Sequence, residues 1–202
     1  MLAFVFPGQG SQTVGMGADL VGALPICRET FAQADEVLGF SLSRLCFEGP
    51  ESDLQLTAVA QPAILTASVA ALRGLALQGI RPEVVAGHSL GEYSALVAAG
   101  ALDFRDALVL VRKRGTYMQE AVPVGLGAMA AVMGLEREIL DEVCREAAAS
   151  EAAAQAGGRS IVSIANLNAP GQIVISGHGA AVDRAIALAQ KRGARRAVRL
   201  AV

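Results

Sequence analysis

Glu83-Val84-Val85-Ala86-Gly87-His88-Ser89-Leu90-Gly91-Glu92-Tyr93-Ser94 is the stretch that decides the fold. Glu83–Gly87 reads as a strand flanked by Pro82 and His88-Ser89, its apolar run Val84-Val85-Ala86 leading straight into the turn. Leu90–Ala99 reads as a helix. The junction, Gly87-His88-Ser89-Leu90-Gly91, fits G-x-S-x-G. A strand that turns sharply into a helix lifts the central serine onto an exposed elbow, and the flanking glycines permit the close backbone approach such a turn needs. The helix starting near Leu90 points unpaired N–H groups and a positive dipole end at the serine oxygen, which suits a developing oxyanion. The pentapeptide by itself is common. Two readings of Ser89 therefore stand at this point, a nucleophile or the cap of the helix.

Working outward, Leu2–Phe6 is a second short apolar run, ended by Pro7-Gly8, which suits a buried strand. It leads into Phe6-Pro7-Gly8-Gln9-Gly10-Ser11-Gln12, a glycine-rich loop able to approach a ligand closely. A dinucleotide fingerprint G-x-G-x-x-G fails here, because Thr13 stands at the third glycine position. A Walker A loop is excluded, since the only lysines are Lys113 and Lys191 and neither follows a glycine. What remains is a plain turn, or a loop that lends a backbone N–H to an oxyanion hole opposite Ser89. Residues 19–77 read as several helices punctuated by Pro25, Gly39, Gly49-Pro50 and Gln61-Pro62. The longest apolar tract, Ala63–Ile80, carries Arg73, Gln78 and two glycines. It is expected to be a buried helix rather than a membrane span. After the elbow helix, Asp103 is placed as the N-cap of a helix reaching about Ala121, ended by Pro123 and Gly125.

On that last helix Arg114 has Leu110, Val111, Tyr117 and Met118 as its i±3 and i±4 neighbours. Arg112 and Lys113 have less apolar surroundings, so Arg114 is the basic residue expected to turn inward. A partly buried guanidinium needs an anion, and Arg grips a carboxylate bidentately. That anion is either a ligand or a protein Asp or Glu.

Beyond residue 125 the rhythm changes. Ala128–Met133, Ile161–Ala165, Gln172–Ser176 and Ala197–Val202 read as strands, and Glu136–Ala149 and Ala180–Arg192 as helices. Asn168-Ala169-Pro170-Gly171 separates the two middle strands, and Ala152–Gly158 is a small-residue linker. The order β-α-β-β-α-β is the ferredoxin-like split motif. The chain is thus expected to be α/β, with a large α/β subdomain at 1–122 and a ferredoxin-like small subdomain at 123–202.

Composition narrows the function classes. The 202 residues are 53% hydrophobic but only 4% aromatic, without Trp, so the core must come from Ala, Val, Leu and Ile. A net charge of −2 leaves no electrostatic footprint for nucleic acid. Cys27, Cys46 and Cys144 are irregularly spaced, which suggests neither a disulfide framework nor a metal site but three buried, reduced thiols. The N-terminus lacks the basic region of a signal peptide. A cytoplasmic location is expected.

Phe4-Val5-Phe6-Pro7-Gly8-Gln9-Gly10-Ser11-Gln12, Gln61-Pro62-Ala63, Gly87–Ser94, Arg114-Gly115, Met118-Gln119-Glu120-Ala121-Val122 and Asn168-Ala169-Pro170-Gly171-Gln172 occur together, in order and at matching spacing. In this the chain resembles the malonyl-CoA:acyl-carrier-protein transacylases of fatty acid synthesis, along its whole length. The resemblance implies an α/β-hydrolase-like large subdomain with an inserted ferredoxin-like one, and an active site in the cleft between them. It implies Ser89 as nucleophile, backbone amides of Gln9 and Leu90 as oxyanion hole, and Arg114 holding the free carboxylate of malonyl. Gln9, Met118 and Asn168 are further substrate-binding candidates. The substrates implied are malonyl-CoA and the phosphopantetheine thiol of acyl carrier protein, with no permanently bound cofactor, no metal, and a monomeric enzyme.

One part of the pattern is missing. The resemblance implies a general-base histidine in a Ser-x-Pro-x-His stretch just after the last small-subdomain strand, and the sequence stops at Val202. The closing part of the large subdomain is expected to lie beyond it too. The two histidines present, His88 and His178, are expected to be an elbow-stabilising residue and a residue at a helix start. Two other functions compete. A serine thioesterase or hydrolase would share the elbow, with Arg114 and the Gly8–Gln12 loop arguing against it. A non-catalytic fragment would only bind carrier protein or CoA, with Arg192, Arg195, Arg196 and Arg199 facing an acidic carrier; the alternative for that cluster is a solvated face.

Overall fold

The computed structural model describes residues 1–122, 125–149 and 160–200. Ala152–Gly158, the expected linker, and the end of the expected last strand at 201–202 lie outside the described residues. The chain is mixed α/β and divides into two compact units, Met1–Ala121 and Val122–Val202.

In the first unit, strand β1 (Ala3–Phe6) pairs in parallel with β2 (Val84–Gly87), in register from Ala3 opposite Val84 to Phe6 opposite Gly87. Between them run helices α1 (Ala18–Ala23), α2 (Pro25–Leu38), α3 (Leu42–Glu48), α4 (Glu51–Leu54) and α5 (Thr57–Leu77). After β2 come α6 (Gly91–Ala98) and α7 (Phe104–Ala121). The Asp103 carboxylate accepts from the Arg105 N–H at 2.7 Å, so α7 carries the expected N-cap. The core gathers Phe31, Leu42, Leu65, Val69, Leu90, Leu108 and Val111 around α5. Parallel sheets are usually covered on both faces. Here Val5 is 76% exposed and Val84 47%.

Helix α5 corrects one expectation. Gln61-Pro62 was expected to interrupt a helix, yet α5 runs through it from Thr57. A proline at position 62 leaves the carbonyl of Ala58 without its helical donor. The Arg112 guanidinium donates to that carbonyl instead. The repair costs α5 nothing in continuity, and it also corrects the picture of α7: Arg112 is half-buried, like Arg114, and stacks over Phe40 at 5.1 Å. Gly115 brings the two helices this close, since a Cβ there would lie 2.7 Å from the Thr57 carbonyl oxygen and 2.8 Å from Ala58 Cα. Among the described residues α5 is also the one helix long and apolar enough to cross a membrane, and 67% of that stretch is buried inside the protein.

The second unit is a four-stranded antiparallel sheet in the order β4-β5-β3-β6. Its elements are β3 (Gly127–Met133), α8 (Arg137–Ala148), β4 (Val162–Ala169), β5 (Gln172–His178), α9 (Gly179–Lys191) and β6 (Arg196–Arg199). β3 alternates strictly, with Ala128, Ala130 and Val132 buried. They meet Leu140, Val143, Cys144 and Ala147 of α8 and Ala181, Val182, Ala185 and Ala189 of α9. This core contains no aromatic ring, as the composition required, and its small side chains let helices and sheet approach closely. β4 extends further than expected, through Asn168 and Ala169, so the turn narrows to Pro170-Gly171. Arg192 pairs with Glu142 and Glu146, and Arg199 with Asp183. Half of the arginine cluster is therefore already neutralised by local carboxylates.

Candidate active site

The elbow is built by close backbone packing. The His88 N–H donates to the Phe6 carbonyl at 3.1 Å, which extends the β1–β2 ladder by one bond. A Cβ on Gly87 would lie 2.0 Å from the Gly91 carbonyl, and one on Gly91 would lie 2.2 Å from the Phe6 carbonyl oxygen. Only glycine fits at either place. Ser89, between them, has φ 53°, the single left-handed non-glycine residue among those described. That conformation costs an L-residue roughly 1–2 kcal/mol, so the surroundings must impose it. Leu90, fully buried, anchors the far side of the turn.

Ser89 does not cap the helix. The N-cap position of α6 is Leu90, and no side chain caps it. The exposed Ser89 Oγ instead accepts from Arg114 Nη2 at 3.0 Å. Arg114 Nη1 donates to Gln61 Oε1 at 2.7 Å, and the guanidinium lies 5.9 Å from the Tyr93 ring centre. Gln61 is wholly buried, and its Nε2 meets the Met118 sulfur at 3.3 Å. Arg114 thus bridges Ser89 and Gln61, and Gln61 in turn meets Met118. Tyr117 is 66% exposed and Met118 49%, so no continuous apolar face draws Arg114 inward. Polar partners on α5 and the elbow hold it. The sequence pattern assigns Gln61 no role. A lone amide inside an apolar helix was the signal that could have singled it out.

The glycine-rich loop is tied to the same place. A Cβ on Gly8 would lie 2.7 Å from the His88 carbonyl oxygen, so the loop rests on the elbow. The loop is braced by Gly10 N–H donating to Gln12 Oε1 at 2.8 Å, Gln12 Nε2 to Gln55 Oε1 at 2.7 Å, and Ser11 Oγ to the Gly8 carbonyl at 2.9 Å. The Gln9 side chain donates to Thr57 Oγ1 at 3.1 Å. Among the described residues, the backbone N–H groups of Gln9 and Leu90 donate to no protein acceptor. Asn168 lies in the second unit, exposed at the β4 end of the β4–β5 turn.

His88 is exposed, and its backbone carbonyl accepts from Gly91 N–H at 2.9 Å, so its main chain braces the elbow. His178 is the N-cap residue of α9, and its Nδ1 accepts from the Ile161 N–H at 3.0 Å. The three cysteines are buried and unpaired. Burial pushes the Cys46 thiol up to about 12 and that of Cys144 to about 11, so neither is a nucleophile near neutral pH. No cluster of three or more His, Cys, Asp or Glu side chains suited to a metal occurs among the described residues.

The chain is 52% identical over 201 residues to the malonyl CoA-acyl carrier protein transacylase of Bacillus subtilis, covering 100% of this chain and 61% of that relative. The solved malonyl CoA-acyl carrier protein transacylase of Coxiella burnetii superposes with a TM-score of 0.90 at 52% identity, over 99% of this chain and 61% of that one. A malonyl-transacylase solved in complex with a type II PKS acyl-carrier protein gives a TM-score of 0.89 at 51% identity, over 99% and 62%. The chain therefore spans about three fifths of the length of the relatives it matches. The acyl transferase domain family model matches residues 3–202, and with it the elbow, the glycine-rich loop and the Arg114 helix: the chain belongs to the acyl transferase domain family.

Proposed function

We propose that this chain carries the nucleophile and acyl-binding half of a malonyl-CoA:acyl-carrier-protein transacylase. The observation that carries the proposal is Arg114 beside Ser89, with Nη2 3.0 Å from the serine oxygen. A guanidinium there places one carboxylate-binding group next to the atom that forms the acyl bond. A malonyl group has its free carboxylate two carbons from its thioester carbonyl. The carboxylate would take the guanidinium, displacing it from Ser89 Oγ and freeing that oxygen for attack.

The reaction follows from that placement. Ser89 Oγ attacks the thioester carbon as its proton passes to a general base. The carbonyl oxygen becomes an oxyanion, held by the N–H groups of Gln9 and Leu90 and by the N-terminal end of α6. The C–S bond breaks and CoA leaves with a proton, which gives the malonyl ester of Ser89. The phosphopantetheine thiol of acyl carrier protein then attacks the ester and restores Ser89. Thioester is exchanged for thioester, so the cycle needs no ATP or cofactor. We assign the base to a histidine outside this chain. His178 Nδ1 is engaged by the Ile161 N–H, and His88 serves the elbow through its main chain.

The carrier protein enters as acyl acceptor because a relative at 51% identity was solved with one bound. Asn168 is retained as a substrate-binding candidate. We read the first unit as the α/β-hydrolase-like subdomain and the second as the ferredoxin-like one. The sheet order β4-β5-β3-β6 supports the second assignment. The bare valines of β1 and β2 support a larger sheet completed by further chain. A monomer in the cytoplasm fits the transfer between two soluble thiols.

Incubating the full-length protein with malonyl-CoA, then mapping the adduct by peptide mass spectrometry, tests the reading. Malonyl is expected on Ser89 and absent in Ser89→Ala. Malonyl on another residue, or release to water faster than to carrier protein, would overturn it.

A further inference from the structure

We propose that Gln61 sets the charge selectivity of this site: it aims the Arg114 guanidinium through a neutral acceptor, so that the guanidinium keeps its whole charge for the acyl group. The proposal rests on the malonyl-transfer reading above and extends it to a residue to which that reading gives no part.

Gln61 sits on α5, wholly buried. Its oxygen accepts from Arg114 Nη1 at 2.7 Å, while its nitrogen meets the Met118 sulfur at 3.3 Å. A thioether is a weak acceptor, so the pairing that orients the amide is the one to Arg114. The segment bearing Gln61 has little freedom. Arg112 holds the Ala58 carbonyl, and Gly115 seats α7 against Thr57 and Ala58. Gln61 therefore fixes one corner of the guanidinium, and the other corner meets the nucleophile.

The chemistry of the acceptor is what matters. Among the described residues no carboxylate pairs with Arg114; the ion pairs found there involve Arg105, Arg145, Arg192, Arg199 and the N-terminus. A glutamate at position 61 would have the same length and shape, and its oxygen could make the same bond. It would also bring a buried negative charge to the guanidinium, and so occupy the role of the malonyl carboxylate. Gln and Glu differ here by one charge and almost no volume. The amide leaves the site cationic and selective for an acidic acyl group. A carboxylate would make it neutral and suited to uncharged acyl groups.

The test uses the full-length enzyme with wild type, Gln61→Glu and Gln61→Met. kcat/KM is measured for malonyl-CoA and acetyl-CoA with one carrier protein, together with Tm. A hydrogen bond to a charged group corresponds to roughly 10–100-fold in rate. Gln61→Glu is expected to lower malonyl kcat/KM by about that factor, mainly through KM, and to leave acetyl transfer near wild type. Gln61→Met removes the aim but adds no charge. It should lower malonyl kcat more than KM rises, again sparing acetyl, and it carries the test if the glutamate variant does not fold. Equal losses on both substrates in both variants, with a lowered Tm, would make Gln61 a packing residue and overturn the proposal. A wild-type enzyme without malonyl transfer would overturn the functional reading itself, and the proposal with it.

Discussion

Gly91→Ala is the change that most directly probes how the elbow is held. A Cβ at residue 91 would lie 2.2 Å from the Phe6 carbonyl oxygen, 2.8 Å from its carbon and 2.9 Å from the Pro7 carbonyl oxygen. Ordinary contact begins at 3.4 Å, so 3.4 − 2.2 = 1.2 Å of movement is needed along the worst contact. Every atom concerned is main chain, so no side chain can swing away. Phe6 cannot yield alone, because it pairs with Gly87 and its carbonyl accepts from His88. The start of α6 cannot yield alone either, because Leu90 is wholly buried. Ser89 must then shift by about an ångström, a displacement that can cost on the order of 100-fold in rate. The overpacking itself is expected to destabilise by about 1–3 kcal/mol. The assay is malonyl transfer by the full-length enzyme, with urea unfolding measured in parallel. Gly22→Ala is the control: Gly22 lies in α1 with nothing within 4 Å of its added Cβ, so activity should hold and stability rise by up to about 1 kcal/mol. Near-wild-type kcat/KM in Gly91→Ala would refute the argument that this contact positions Ser89.

Arg114→Ala should lower malonyl transfer by roughly 10–100-fold while sparing acetyl transfer; parallel losses for the two substrates would make the arginine structural. Asp103→Ala removes the cap of α7 and should cost about 1 kcal/mol in urea unfolding without altering kcat. The thiols set an alkaline limit. Burial raises Cys46 to about 12 and Cys144 to about 11 in the folded protein, whereas an unfolded thiol ionises near about 8.5. The unfolded state therefore loses protons first. The stabilisation is whole below that pH and is lost as pH rises towards the folded values. Stability measured from pH 8 to 11 should fall, and Cys46→Ala should flatten the fall; an unchanged slope would refute the assignment. Native protein should likewise resist iodoacetamide at pH 8 and react at all three cysteines in denaturant, and rapid labelling of the native protein would contradict the burial.

Local chemistry was enough to locate most elements. Alternating or continuous apolar runs, the Asp103 cap and the Gly87–Gly91 turn each act within a few residues, so β1, β2, α6, α7 and the β-α-β-β-α-β order could be read along the chain. Ser89 and Arg114 could be singled out for the same reason, one by its turn and the other as a charge on a helix. What joins them could not be read that way. Pro62 looked like a break because a proline removes a helical bond locally, and only a guanidinium from position 112 restores a partner to the Ala58 carbonyl. Arg114 was expected to follow an apolar face, yet Tyr117 and Met118 beside it are exposed. Gln61 and Ser89, 53 and 25 residues distant in sequence, hold it instead. Short-range propensities depend on neighbouring dihedrals and are written in consecutive residues. The aim of a buried charge depends on which polar atoms the packing of α5 against α7 brings within hydrogen-bond reach, and that is decided only when the helices meet.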